Sequence, residues 1–303
     1  MLGGTEWSRE AQDIAQLAYY QFKLIGPYWV VGLSAGAWLS LDRKRIERVF
    51  SGRAFTAASP LLRLALAALA GALSPITLFG AIPVLAATGR SGAGPDILAA
   101  FIITSVIINP NVFIYSLALG PGVAALRLAL ALLAGLTGGL LLRKIQNPEN
   151  LMTLGHFVLP STPGRPPTPA RDFAAAFWRS LRKTGPNLAF GIVATALFDK
   201  YFPREILDLV FLGNRSLSVL FAAGLSVPVY YCGGGTIPLL RAWMDSGMSL
   251  GAATSFMMIG PPTKFTNLGA VKTITSRTGF VLYVAYSIAY GVLTGLAISR
   301  LGF

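Results

Sequence analysis

The chain carries one cysteine, Cys232, and one histidine, His156, in 303 residues. A single cysteine excludes an internal disulfide and any multi-cysteine zinc or iron–sulfur site. A single histidine excludes a histidine-rich metal site. Charge is scarce too: Asp, Glu, Lys and Arg make up 12% of the chain, against about 25% in a soluble domain. No apolar segment holds a carboxylate pair, a His-Glu-x-x-His motif or a Walker-type phosphate loop. Catalysis, ATP hydrolysis by this chain and a bound cofactor are therefore not expected. Glu6, Arg9, Glu10 and Asp13 stand where a cleavable signal peptide needs an apolar stretch, so none is expected.

What the chain has is apolar length. Hydrophobic residues make up 54% of it, the mean hydropathy is +0.62, and several runs reach the roughly 20 residues that cross a bilayer. The runs do not alternate as a barrel's would. The expected fold class is an all-α polytopic membrane protein. The net charge of +13 would suit nucleic acid, but membrane proteins collect Lys and Arg in cytoplasmic loops. The expected partner is the lipid bilayer, in a bacterial inner membrane, with no nucleic acid.

Residues 1–23 read as an interfacial amphipathic helix, with Trp7, Ile14, Leu17, Tyr19 and Tyr20 among charges. A first transmembrane repeat is expected over 24–143, with spans near Leu24–Leu41, Phe55–Leu73, Ile97–Leu119 and Val123–Leu142. Residues 144–183 form a polar, proline-rich cytoplasmic linker ending in an amphipathic stretch, and 184–303 form a second repeat.

The duplication is written in landmarks. Gly80–Ala87 is echoed 155 positions later by Gly235–Ala242, Ser91-Gly92 by Ser246-Gly247, Phe101 by Phe256, and Asn109 stands opposite Lys264. Gly26-Pro27 matches Gly185-Pro186. The pairs Gly135/Gly139 and Gly291/Gly295 are both GxxxG, a spacing that lets helices approach closely. If each motif segment crosses the membrane, each half has about five segments and the repeats are inverted. Loop charges agree: 42–53 and Lys272/Arg277 fall inside, and the acidic 199–208 outside. The rival has re-entrant motif segments and parallel repeats.

Gly/Pro-interrupted segments at matching places in two halves point to a transporter's substrate site. Freed backbone groups are tolerated at membrane depth only when buried in protein or lining a wet cavity. Gly233, Gly234, Gly235 and Pro238 form one interruption and Pro83 belongs to the other, with a packing kink as the plain alternative. Cys232 is a candidate soft-metalloid ligand or an inert small hydrophobe; Thr77 holds its place in the first half. Lys264, within Gly260–Asn267, is the sharpest residue, because an intramembrane charge is costly. It would pair with an anion or exchange a proton, or else snorkel to an interface. Asn109, Asn267, Ser105, Thr236 and Thr263 supply neutral polar contacts or packing. Arg63, Arg127 and Arg241 read as structural or gating residues, with Asp245 a local partner for Arg241.

Cys232-Gly233-Gly234-Gly235-Thr236-Ile237-Pro238, then Gly247, Leu250–Ala253, Phe256 and Gly260-Pro261-Pro262-Thr263 resemble the permease family that includes the ArsP organoarsenical-efflux permeases and the YraQ-like permeases. Ile108-Asn109-Pro110 resembles the first-half counterpart. The resemblance runs from about residue 20 to the end and carries over Cys232, Thr236, Pro238, Pro261 and Asn109 as motif positions. It implies an exporter of trivalent organoarsenicals or related soft metalloids; an ion gradient would drive it, with the proton a candidate coupling ion and Lys264 a candidate proton or anion site. Relatives often carry Cys-x-Cys-Gly where this chain has Tyr230-Tyr231-Cys232-Gly233, and Asn where it has Lys264. The sequence is also compatible with a small-anion permease using Lys264 and the glycine-rich amides, with a non-transporting membrane scaffold, and with assembly into a homo-oligomer.

Overall fold

The computed structural model describes residues 3–39, 57–74, 94–152, 169–201, 214–230 and 235–301, together with Phe55 and Val210. Among them the elements are helices: α1 Gly3–Leu39, α2 Pro60–Leu73, α3 Pro95–Ile107, α4 Pro110–Ser116, α5 Pro121–Arg143, α6 Pro169–Tyr201, α7 Arg215–Val229, α8 Thr236–Asp245, α9 Leu250–Thr263, α10 Phe265–Ile274 and α11 Arg277–Arg300, with single 3-10 turns at Leu117–Leu119 and Pro148–Leu151. Three stretches are long and apolar enough to cross a membrane: Pro95–Leu119, Pro121–Arg143 and Arg277–Arg300. Leu73, Leu217, Val281 and Leu293 stand exposed on the outer faces. Apolar side chains so placed suit lipid rather than water.

α3 and α9 are the central helices. Residues 97–107 and 251–263 are buried on every side, the pattern of a helix enclosed by others. α2, α3 and α5 pack mutually, α7, α9 and α11 do the same, and α3 touches α9. Glycine sets the spacing within each group. A Cβ on Gly135 of α5 would collide with Thr104 and the Ala100 carbonyl of α3, and one on Gly295 of α11 with Ser255 and the Gly251 carbonyl of α9. Both GxxxG pairs of the sequence therefore lie where two helices approach closely.

The amphipathic segment and the first span, expected as separate elements, form one helix. α1 runs 37 residues through Pro27, about 55 Å at 1.5 Å per residue. α6 likewise carries the Arg171–Lys183 stretch into its span, through Pro186. An interior proline removes one main-chain bond, and here the two long helices brace each other across that weakness. They run antiparallel: Lys200 near the end of α6 meets Asp13 near the start of α1 at 3.2 Å, while Gly185 borders Trp29.

α5 and α11 are also antiparallel. The Tyr286 hydroxyl donates to the Ala134 carbonyl at 2.6 Å and the Tyr290 hydroxyl to the Leu130 carbonyl at 2.7 Å. The Thr137 hydroxyl lies 2.7 Å from that of Tyr286. After α5 the chain stays tied to the α10–α11 junction, where the Ser276 N–H donates to the Leu151 carbonyl at 3.1 Å.

Candidate functional site

Both central helices break. The expected continuous span Ile97–Leu119 is interrupted at Ile108 and Asn109, which are extended (φ −142°, ψ 144° and φ −148°, ψ 172°). The cause is local: a residue before proline is pushed out of the helical region, and Asn109 precedes Pro110. The chain restarts cleanly. The Asn109 Oδ1 accepts the Val112 N–H at 3.0 Å, a side-chain N-cap, and Pro110 takes the first helical position, where its missing N–H costs nothing.

The second break follows Pro261 and Pro262, which remove two donors from the last turn of α9. Lys264 both ends α9 and begins α10, its N–H donating to the Gly260 carbonyl at 3.0 Å. No side chain caps α10. The exposed carbonyls find other donors. Asn267 Nδ2 donates to the Pro261 carbonyl at 2.7 Å, and the Tyr283 hydroxyl to the Pro262 carbonyl at 3.4 Å. The Thr263 hydroxyl returns to the Ile259 carbonyl at 2.7 Å. The Lys264 side chain is half-buried and has no ion pair among the described residues.

Arg127 of α5 stands between the breaks, 1% exposed. Its Nη1 donates to Ser116 Oγ at 2.9 Å, and its Nη2 to the Ile107 carbonyl at 3.3 Å and the Tyr230 hydroxyl at 3.1 Å. Its Nε is buried without an acceptor, and no carboxylate pairs with it among the described residues. This is a buried cation held by neutral oxygens. The Tyr230 ring lies against Gly260, where a Cβ would strike it. Phe256 continues the aromatic contact at 6.0 Å and Trp243 of α8 at a further 5.4 Å, centroid to centroid.

The residues singled out in the sequence divide three ways. Pro261, Thr263, Lys264 and Asn267 come together at the second break, and Asn109 forms the first. Gly235, Thr236 and Pro238 are buried at the start of α8, whose Trp243 meets Phe256 of α9. Ser105 is buried on α3 with its hydroxyl on the Ile102 carbonyl at 3.0 Å and its backbone against α2 at Gly71, a packing position. Cys232, Gly233, Gly234, Thr77 and Pro83 lie outside the described residues. The Arg241–Asp245 pair forms at 3.0 Å, and Arg241 also reaches the Ala118 carbonyl at 3.5 Å.

Sequence reasoning passed over Tyr230, Tyr283, Tyr286 and Tyr290. For the last three the signal was available: three phenols at spacings of three and four fall on one helix face, inside an otherwise apolar span. Tyr283 and Tyr286 also line a cavity of about 180 Å³ between the halves, walled by Ile103, Leu142, Ile274 and Leu282. Tyr283 thus connects that apolar space to the carbonyl at the second break.

The geometry brings main-chain polar groups and two cations into the centre of an apolar helical body. No curated protein and no solved structure matches the chain. A family model described as a predicted permease, ArsP_1, matches residues 15–300, nearly the whole length, and the chain accordingly belongs to this family of membrane permeases, transporters rather than enzymes.

Proposed function

We propose that this permease is a secondary transporter of the bacterial inner membrane that exports a small solute, a trivalent organoarsenical or related soft metalloid, at the expense of a proton gradient. The observation that carries the reading is the pair of breaks. Two central helices open at corresponding positions, Asn109 and Lys264, inside apolar surroundings, where irregular backbone is tolerated only if it serves a buried or wet site. The solute would bind between the halves, and the halves would rock about it. Inverted repeats over 24–143 and 184–303 fit this scheme. Counterpart helices α1 and α6 run antiparallel, as do α5 and α11, the relation an in-plane two-fold imposes. The family supports a metalloid cargo, for which Cys232 is the candidate ligand.

A second reading, a small-anion permease, is favoured by one observation: the Lys264 ammonium sits at a break without an anionic partner among the described residues. The experiment is uptake into everted membrane vesicles, comparing trivalent methylarsenical, arsenite and an anion panel. Wild type, Cys232→Ser and Lys264→Ala are measured with and without a protonophore. Arsenical accumulation that is lost in Cys232→Ser and collapsed by the protonophore is the expected result. Lys264-dependent anion flux without arsenical flux replaces it with the second reading. No flux of any probe, with both variants silent, leaves a membrane scaffold.

A further inference from the structure

We propose that Arg127 and Tyr230 form the joint through which the two helix breaks move as one, Arg127 being a positioning residue of the transport cycle; the proposal rests on the transporter reading above. Arg127 is anchored in its own half. Ser116 Oγ at 2.9 Å and the Ile107 carbonyl at 3.3 Å hold it, and Ile107 is the last residue of α3, so that carbonyl belongs to the first break. The third contact crosses to the other half, to the Tyr230 hydroxyl at 3.1 Å. Tyr230 caps α7 in an extended conformation (φ −74°, ψ 113°), and its ring is seated on Gly260, next to the Pro261 that opens the second break. Ile107, Arg127, Tyr230 and Gly260 thus make one continuous path from break to break.

The path is built to part and re-form. If Tyr230 withdraws, the guanidinium keeps both first-half bonds, so separation costs one hydrogen bond and leaves no wandering charge. The Nε–H, buried and without an acceptor, is a second donor onto which the hydroxyl can transfer. Pro228 removes a donor from the last turn of α7, which loosens the backbone leading into Tyr230. While the contact holds, moving the halves moves both breaks, because each is fixed to one end of it; where it parts, the breaks are released from each other.

Cys232 supplies a reporter that needs no solute. It is the chain's single cysteine, two positions after Tyr230. The experiment is its labelling rate by a membrane-impermeant maleimide in right-side-out and everted vesicles. Wild type is compared with Tyr230→Phe, Arg127→Lys, the double variant and, as a control, Tyr290→Phe, which removes a hydroxyl from the α5–α11 seam. The ratio of the two rates should change by about tenfold in Tyr230→Phe, the population shift that loss of one hydrogen bond to a charged group allows. Arg127→Lys should do the same, the double variant no more than either single, and Tyr290→Phe nothing. Ratios unchanged in both single variants, unlabelled cysteine throughout included, overturn the proposal, as does an equal shift in Tyr290→Phe. Labelling does not depend on which solute is moved, so failure of the arsenical assay and failure of the joint are separate results.

Discussion

The two helix breaks occupy corresponding places and solve the same problem differently. At the first, Asn109 supplies its own cap and Pro110 its own helical start, and Arg127 of α5 takes the Ile107 carbonyl. At the second, Lys264 cannot accept a hydrogen bond, α10 starts uncapped, and the freed carbonyls depend on Asn267 and on Tyr283 from another helix. A cation beside a helix C-terminus is favourable and beside an N-terminus unfavourable; Lys264 is at both. The first break restarts from its own residues and takes its cation from α5, whereas the second starts uncapped and carries its own charge. The second break is thus the one that keeps a charged side chain with no ion pair among the described residues.

The comparison can be broken from either side. Asn109→Lys should do the most damage. It removes a cap worth about 1 kcal/mol and places a second cation near Arg127, adding several kcal/mol more, so denaturation in detergent should show loss of the folded protein. Lys264→Asn makes the second break resemble the first. Its melting temperature should rise, with about 1 kcal/mol gained from a new cap, while vesicle transport falls by roughly tenfold, as expected for a lost charge contact. Stabilisation with transport intact would show the two breaks to be interchangeable. Asn267→Ala uncovers the Pro261 carbonyl and should cost about 1 kcal/mol in the same melts. Tyr283→Phe removes only the 3.4 Å bond to Pro262 and should cost about 0.5 kcal/mol.

Proline and glycine made much of this architecture readable in advance. Asn109–Pro110 and Pro261–Pro262 act through their own backbones, so these breaks are local, but hydropathy runs a span straight through the first, and the repeated motifs place the interruptions at Pro83 and at Gly233–Pro238 instead. The GxxxG pairs are equally local. The change from a charged to an apolar stretch at residues 23–24 leaves no mark in the backbone, because α1 runs through it and packs along α6, more than a hundred positions away. The Arg127–Tyr230 contact spans 103 positions and the Tyr290–Leu130 contact 160. No pattern in one sequence says that such residues meet. Arg127 was visible as a buried charge, but its partners are hydroxyls and carbonyls, which leave no complementary charge to search for.

The seam between α5 and α11 is unequal in what its two sides demand of heredity. The phenols of Tyr286 and Tyr290 donate to main-chain oxygens of Ala134 and Leu130, and every residue type offers that oxygen. Leu130 can therefore be exchanged for another side chain of suitable bulk and polarity without removing an acceptor, whereas a single change at Tyr290 deletes a donor outright. Mutational drift along this contact should accumulate on α5 and spare α11. A saturation library scored for folded protein would reveal broad tolerance at Leu130 facing narrow tolerance at Tyr290, where only Phe keeps the ring while losing the hydroxyl, two partners in one contact with opposite freedom to vary.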